Sequence, residues 1–298
     1  MNTKFINWLI LIALALIWGS SFILMKRGLE VYSSDEVAAL RIFIAFLFLS
    51  PLIFKHVKMP LLKHWRGFVG MGVLGNLIPA FLFTKAETGI SSSFAGILNS
   101  LTPLFTMVLG VMLFKAKTAW INAIGIFIGF FGAIGLLMVG KSVDMNNNLL
   151  FGFYVVLATF CYGFSVNIIK KYLNEVNSIT ATVWAMMFIG PVAGAYLFGF
   201  TDFSTRLSGD PMALNSLGYV CILAILGTAL SVIIFNVLIR NTNALFASSV
   251  TYLIPIVAIG WGLFDDEVIL PWHFMWIIII LLGVYLVNKK KAPKSLSK

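Results

Sequence analysis

The chain has 298 residues, of which 60% are hydrophobic and only 11% are charged, and its mean hydropathy is +0.99. A soluble domain carries about 25% charged residues, so this composition excludes an ordinary soluble protein and predicts an all-α integral membrane protein. The net charge of +10 would suggest nucleic acid in a soluble chain. Here the excess of lysine and arginine in alternate loops explains the charge, and no nucleic-acid partner is expected.

Ten apolar runs are long enough to cross the hydrocarbon core, which takes about 20 residues. In chain order they are 6–25, 36–54, 66–84, 92–114, 118–139, 149–169, 178–200, 214–239, 244–264 and 270–288. The first run is too long for a signal peptide, and no small-residue cleavage site follows it. We therefore expect it to be retained, which gives ten transmembrane helices.

Lysine and arginine are distributed unequally between alternate loops. If the N-terminus is cytoplasmic, 15 of these 21 residues lie on the cytoplasmic side and 5 on the other, while Arg41 falls inside the second span. The positive-inside rule then predicts a multi-pass protein of the plasma (inner) membrane with both termini in the cytoplasm. The basic tail at 291–298 is expected to contact anionic membrane lipid.

The chain also repeats itself. With an offset of 144, Ile17-Trp-Gly-Ser-Ser21 aligns with Cys161-Tyr-Gly-Phe-Ser165, and from the third span onward the offset is 152. Each half, 1–140 and 148–290, then holds five spans. Because five is odd, the second half must enter the membrane from the opposite side. Two inverted five-helix repeats are an architecture of secondary transporters, whose substrate site lies near the midplane between the repeats.

Pro103 in the fourth span and Pro255 in the ninth span are equivalent positions of the repeat. A proline inside a helix removes a backbone donor and leaves the carbonyl four residues earlier without its helical partner. The carbonyls concerned belong to Asn99 and Thr251. We expect a kink at each site, with these carbonyls facing a cavity. The alternative is that the kinks only improve helix packing.

Several short segments follow one another in a recognisable order along the chain. They are Trp18-Gly-Ser-Ser-Phe22, Leu40-Arg41, Ala86-Glu87, Ser91-Ser-Ser-Phe-Ala95 leading to Pro103, and Ala244-Leu-Phe-Ala247 leading to Pro255. With these segments the sequence resembles the drug/metabolite transporter superfamily, in its ten-helix branch with two EamA domains, and the resemblance covers nearly the whole chain. It implies two EamA-like repeats and a transporter, often an exporter, of amino acids or other small metabolites. Such a protein would work by alternating access around a central cavity.

The sequence departs from the family pattern at two places. Where the family usually has a Gly-Glu pair after the fourth span, this chain reads Phe114-Lys115-Ala116, whereas the second half keeps its acid as Glu267. The family's arginine in the second span is matched by Arg41, but the equivalent position in the second half is Ala185. Roles that need an acid or an arginine in both halves are therefore not expected.

Polar and aromatic side chains deep in the spans are the candidates for binding substrate. They either line a cavity or hydrogen bond between helices, because an amide in lipid needs several partners. The predicted substrate-binding residues are Trp18, Ser20, Ser21, Asn76, Asn99, Thr102, Tyr162, Asn167, Trp184, Asn236, Thr251 and Tyr252.

Helix kinking and gating are assigned to Pro103, Pro255, Arg41 and Glu267. Arg41 is expected roughly 9 Å below the outer surface, at about 1.5 Å per residue. It could act in a gate, pair between helices, or extend to the outer headgroups and pair with Asp35 or Glu36.

Two other functions stay open. A lipid or drug flippase or efflux protein of the same fold is the first, because Lys26, Arg27 and Arg41 cluster towards the outer side. A membrane enzyme is a remote second, because the three histidines lie at span ends and no catalytic motif is present. No phosphate loop or metal-ligand spacing occurs, so neither cofactor nor metal is expected. Glycines of the fifth span pack either within the chain or between copies, which leaves the oligomeric state open.

Overall fold

A computed structural model of the chain describes residues 3–56, 61–116, 120–139, 145–265 and 270–288. Within these ranges the chain is helical and contains no strand. Eight helical segments are long and apolar enough to cross a membrane, and two further helices contain shorter apolar stretches, Trp120–Gly129 and Pro271–Gly283. The predicted all-α membrane fold is confirmed.

Each span consists of one helix or of consecutive helical pieces. The described spans are Thr3–Leu29; Ser34–Leu49 followed by Ser50–Leu52 and Ile53–His56; Leu61–Gly72, Val73–Leu77 and Ile78–Ala86; Ser92–Asn99 and Thr102–Phe114; Trp120–Val139; Met145–Tyr172; Ser178–Phe200; Ala213–Ala224, Ile225–Leu230 and Ser231–Asn241; Ala244–Ser248, Ser249–Tyr252 and Ile254–Phe264; and Pro271–Asn288. A short surface helix, Phe203–Gly209, precedes the eighth span. We number the spans first to tenth in this order.

Side-chain caps explain several of the boundaries. The Ser33 hydroxyl accepts a hydrogen bond from the Glu36 N–H at 3.2 Å, and the Glu36 carboxylate accepts one from the Ser33 N–H at 2.7 Å. This capping box fixes the start of the second span. Asn177 caps the seventh span by accepting from the Ile179 N–H at 2.9 Å.

The third and eighth spans each contain a π-helical turn, at Val73–Leu77 and at Ile225–Leu230. With the repeat offset of 152, the two turns occupy equivalent positions. A π turn adds one residue to a helical turn and frequently occurs at functional sites. The sequence analysis did not predict these turns.

The fourth and ninth spans are each broken shortly before their equivalent prolines, Pro103 and Pro255. In the fourth span, Ser100 and Leu101 separate two α-helices, and their N–H groups bond to carbonyls three residues earlier. In the ninth span a 3₁₀ turn, Ser249–Tyr252, separates the pieces. Pro103 and Pro255 stand in the first turn of the helix that follows each break, the position where proline costs least.

The fifth and tenth spans pack closely against each other through glycines. A Cβ atom added to Gly283 would collide with the backbone of Gly129, and one added to Gly132 would lie 2.9 Å from the Ile280 side chain. Small residues allow such close approach of helices in lipid. The glycine face of the fifth span therefore packs within the chain.

Candidate functional site

A central cavity lies between the two halves. Its volume is about 90 Å³, which is enough for several water molecules. Seven spans line it, namely the first to fourth, the sixth, the eighth and the ninth. Nine residues that the sequence singled out are brought together here: Trp18, Ser21, Arg41, Asn76, Asn99, Thr102, Tyr162, Asn236 and Thr251.

Many lining residues are equivalent positions of the repeat. The lining includes both members of the pairs Trp18 and Tyr162, Ser21 and Ser165, Gly75 and Gly227, Phe83 and Phe235, and Asn99 and Thr251. The wall of the cavity therefore repeats across the two halves. Both π turns contribute residues to it, as do the ninth-span break and the two residues on either side of the fourth-span break, Asn99 and Thr102.

The π turns bring the halves into contact through glycine and serine. A Cβ atom added to Gly75 would overlap the hydroxyl of Ser165, and one added to Gly227 would lie 2.7 Å from the hydroxyl of Ser21. Each contact joins one half to the other, and the two are equivalent under the repeat. In the sequence, the alignment of Gly75 with Gly227 indicates that the two glycines are equivalent. It does not indicate that each glycine contacts a serine of the other half.

A second pair of close contacts joins the first span to the ninth and the sixth to the fourth. A Cβ atom added to Gly19 would lie 2.5 Å from Val257 Cβ, and one added to Gly163 would lie 2.7 Å from the Thr106 backbone nitrogen. Gly19 and Gly163 are equivalent in the repeat. Only glycine allows this approach, so the broken spans lie directly against the first and sixth spans.

The polar lining residues are partly satisfied by the protein itself. The Trp18 indole N–H lies 3.0 Å from both the Gly227 carbonyl and the Ser231 hydroxyl and donates to them. The Thr102 hydroxyl donates to the Asn99 carbonyl at 2.8 Å. The Thr102 hydroxyl therefore replaces the donor that Pro103 removes, and Asn99 still lies in the cavity wall.

Asn236 keeps an unused acceptor. Its amide nitrogen donates to the Thr182 hydroxyl at 2.9 Å, and the residue is 1% exposed. Its carbonyl oxygen has no hydrogen-bond partner among the described residues. A buried acceptor without a partner costs roughly 1–3 kcal/mol. A ligand or water that donates a hydrogen bond would remove that cost.

Arg41 is buried at the cavity wall, with 8% of its surface exposed. Its Nε donates to the Thr228 hydroxyl at 2.7 Å, which links the second span to the π turn of the eighth. The two acids proposed as its partners are used elsewhere. Glu36 pairs with Arg206 at 3.3 Å, and Asp35 accepts from the Tyr196 hydroxyl at 3.4 Å. The alternative of pairing with these acids near the headgroups is wrong.

Two predicted residues use their polar groups to bridge helices away from the cavity. The Asn167 amide donates to the Thr106 and Gly163 carbonyls at 2.8 Å, so it joins the sixth span to the fourth. The Ser20 hydroxyl donates to the Leu16 carbonyl at 2.8 Å and accepts from the Trp261 indole at 2.8 Å. Neither residue lines the cavity.

Trp184 and Tyr252 also lie outside the cavity lining. The Trp184 indole N–H donates to the His56 carbonyl at 3.2 Å, and its ring stacks on Phe68. Tyr252 is 8% exposed and packs in the apolar core beside Thr251. Pro103 and Pro255 begin the helices after the breaks without lining the cavity, and Glu267 lies outside the described residues.

The two ends of the bundle are tied differently. On the side predicted to face outward, Lys26 and Arg27 of the first span both form ion pairs with Asp265 at the end of the ninth. We call these three residues the outer ion-pair cluster. Lys170 is the repeat equivalent of Lys26, but its ammonium group donates to the Ile239 and Thr242 carbonyls, both at 3.1 Å. That end holds the spans together with neutral acceptors.

A neutral hydrogen bond joins the loops on the side predicted to face outward. There the Tyr32 hydroxyl donates to the Ala213 carbonyl at 2.9 Å. Burial raises the pKa of this phenol, and the negative charge of the nearby Glu36 raises it further. Tyr32 is therefore protonated at physiological pH and keeps this hydrogen bond.

Among the described residues, no group of three or more His, Cys, Asp or Glu side chains is placed to hold a metal ion.

Comparison with known proteins supports the reading of the fold. An uncharacterized transporter of Archaeoglobus fulgidus is 25% identical over 290 residues, covering 96% of this chain and 99% of its own length. The uncharacterized inner membrane transporter YedA of Escherichia coli K12 is 25% identical over 294 residues, covering 94% of this chain and 92% of its own. A solved crystal structure with 13% sequence identity matches the fold with a TM-score of 0.68 over 95% of this chain and 96% of that one.

The family model completes the comparison. The EamA-like transporter family matches residues 6–138 and 150–289, which is nearly the whole chain. The match falls in two segments, one in each half. The chain belongs to the EamA-like transporter family.

Proposed function

We propose that this protein is a secondary transporter that exports small metabolites, such as amino acids, by alternating access around the central cavity. The family assignment supports transport as the general function of the protein. Substrate class, direction and mechanism are the parts proposed here. A lipid or drug flippase of the same fold is the alternative that the experiment below distinguishes.

The cavity wall is the observation that carries the mechanism. Equivalent residues of the two halves, such as Ser21 and Ser165, line one central cavity. In an inverted repeat, two nearly equal halves can exchange their conformations, which closes one side of a central site and opens the other. The π turns and helix breaks around this cavity supply places where the spans can bend.

The two ends of the bundle support two separate closures. The outer ion-pair cluster ties the first span to the ninth, and Lys170 ties the sixth span to the eighth. Opening the outer side requires the ion pairs of Asp265 to separate, whereas opening the inner side requires the loss of two hydrogen bonds to carbonyls. Each closure is small enough to be broken during a transport cycle.

The location rests on charge and on a relative. The relative YedA of Escherichia coli is named an inner membrane transporter. Together with the lysine and arginine bias between loops, this supports an inner membrane protein with both termini in the cytoplasm. Export is the direction that the family resemblance favours.

Solute release from proteoliposomes tests the proposal. Vesicles containing the full chain would be loaded with pooled amino acids and other small metabolites, with and without a pH gradient. We expect selective loss of one chemical class, compared with vesicles that contain no protein. Acceleration by the gradient would identify proton coupling, and indifference to it would identify a facilitator. Retention of every soluble compound, together with movement of a labelled lipid between leaflets, would replace the transporter of metabolites with a flippase.

A further inference from the structure

Arg41 brings one positive charge to the cavity wall. Among the described residues that line the cavity, Arg41 alone carries a charge. The guanidinium is permanently protonated and has five N–H donors. One donates to Thr228, and another approaches the Met25 sulfur at 4.0 Å, where a thioether is only a weak acceptor. Most of the donors are therefore available to a ligand.

The described part of the chain does not neutralise this charge by direct contact. Asp35, Glu36 and Asp265 are held by Tyr196, by Arg206 and by the first span, respectively. Glu87 acts on Arg41 electrostatically, and no carboxylate of the described residues forms an ion pair with it. An arginine buried at membrane depth without a carboxylate in direct contact is costly, and such residues mark ligand pathways.

The second half lacks this charge. The position equivalent to Arg41 is Ala185, which is fully buried against the Gly72 region of the third span. A charge needed only for packing between repeats would be expected in both halves. A charge in one half makes the cavity electrostatically unequal while its backbone remains nearly symmetric, which is what recognition of a single anionic group requires.

Aromatic rings form much of the remaining wall. Trp18 contacts Phe235 with ring centroids 5.0 Å apart, and Phe83 stacks on Tyr162 at 5.8 Å. All four line the cavity. These faces fit an apolar or planar body. The Asn236 oxygen has no partner among the described residues and could accept a hydrogen bond from a ligand that carries a donor. One guanidinium balances one negative charge, so a carboxylate fits better than a doubly charged phosphate.

We propose that Arg41 binds the carboxylate of the transported compound, so that the substrates are small carboxylates with an apolar body. This inference rests on the proposed transport function, because it assigns the substrate class of the same cavity. Arg41 would hold the carboxylate through its free N–H groups while Thr228 keeps the guanidinium in place. Amines and amides of the same shape would lack the group that Arg41 recognises.

Isothermal titration calorimetry on the purified full chain tests this without requiring transport. The probes are phenylacetate, phenylacetamide, phenethylamine and phenyl phosphate, which share one aromatic ring. We expect phenylacetate to bind at least about 10-fold more tightly than the other three, because each of them lacks a singly charged carboxylate. Equal binding of acid and amide to the wild-type chain, tighter binding of phenyl phosphate, or no binding of phenylacetate would overturn the proposal.

Variants then assign the effect to Arg41. We expect Arg41→Gln to weaken phenylacetate binding by about 100-fold and to abolish the preference over phenylacetamide. Arg41→Lys should restore part of the preference, since it keeps the charge but loses the planar donors. Arg66→Gln is the matched control, because it removes an exposed arginine at the end of the third span. An acid preference that persists in a folded Arg41→Gln protein would also overturn the proposal.

The binding assay and the transport assay test the carboxylate site and the transport function independently. A chain that binds phenylacetate through Arg41 but releases no solute from vesicles would contradict the transport mechanism and support the carboxylate site. A chain that releases neutral or cationic solutes as fast as carboxylates would support transport and overturn the carboxylate site.

Discussion

The two halves of this protein share their backbone irregularities but only some of their charges. The third and eighth spans contain equivalent π turns, and the fourth and ninth are broken at equivalent places. In contrast, Arg41 is matched by Ala185 and Asp265 by Leu113. Irregular turns determine where a helix bends, and charges determine what it binds. We infer that the shared features serve a motion common to both halves and that the unshared charges serve recognition and closure.

The largest expected effect comes from filling the cavity at its equivalent positions. Asn99 and Thr251 both line the cavity at the helix breaks, so Asn99→Phe or Thr251→Phe would occupy the space that a substrate needs. We expect each variant to lose transport by at least about 100-fold, since overpacking also forces neighbouring side chains out of place. Proteoliposome release measures this, and size-exclusion chromatography shows whether the protein is folded. Wild-type rates in both variants would remove these residues from the pathway.

The next effect tests the shared glycine contacts. Gly163→Leu and Gly19→Leu would insert side chains where helices already touch, against the Thr106 backbone and Val257. We expect each to lower the free energy of unfolding by about 1–3 kcal/mol or more, and by similar amounts. Gly218→Leu is the control, because a Cβ atom there meets nothing within 4 Å. Detergent unfolding measures the change, and a large difference between the two variants would show that the halves are packed differently.

Asp265→Asn separates the charged closure from the neutral one. Asp265 is 10% exposed and pairs with both Lys26 and Arg27, so its loss weakens the outer closure. We expect about 1–2 kcal/mol of bias towards the outward-open state, which raises outside labelling of a cavity cysteine roughly 5–30-fold. Glu30→Gln is the control, because the Glu30 carboxylate pairs with the nearby Arg27 and, among the described residues, forms no ion pair with the ninth span. Unchanged labelling in Asp265→Asn would show that the ion pairs do not close the cavity.

The smallest effect concerns the departure after the fourth span. Lys115 has φ = 55°, a left-handed conformation that favours glycine. Lys115→Gly should therefore stabilise the protein by about 1 kcal/mol, because a side chain in this region costs about 1–2 kcal/mol. A higher midpoint of thermal unfolding, with Lys115→Ala unchanged or lower, is the expected result. Equal midpoints for the glycine and alanine variants would contradict the backbone explanation.

Much of the fold could be predicted from hydropathy because lipid leaves few alternatives to a continuous apolar helix. The predicted bounds of the fourth, seventh and ninth spans match the outer limits of the observed segments. The π turns could not be predicted, because neither contains a proline or a distinctive composition. A π turn depends on contacts with neighbouring spans, such as Gly75 with Ser165, which only the assembled bundle provides.

The site was predicted only in part, because depth in a span does not determine the direction in which a side chain points. Trp18 and Trp184 both lie inside spans, but Trp18 lines the cavity and Trp184 bonds to the His56 carbonyl. Asn99 and Asn167 differ in the same way, since Asn167 bridges two helices through backbone carbonyls. Equivalence across the repeat predicts the cavity-lining residues better than depth does. Both members of equivalent pairs such as Trp18 and Tyr162 lie in the cavity wall.

Sided labelling of one cavity cysteine tests the central claim most directly. Thr251→Cys would be introduced after Cys161 and Cys221 are replaced by alanine, and a membrane-impermeant thiol reagent would be applied to either side of oriented vesicles. Alternating access predicts that the cysteine reacts from both sides in turn, and that a transported substrate shifts the ratio of the two rates. Simultaneous access from both sides, as in a channel, or a ratio that no substrate changes would contradict the account.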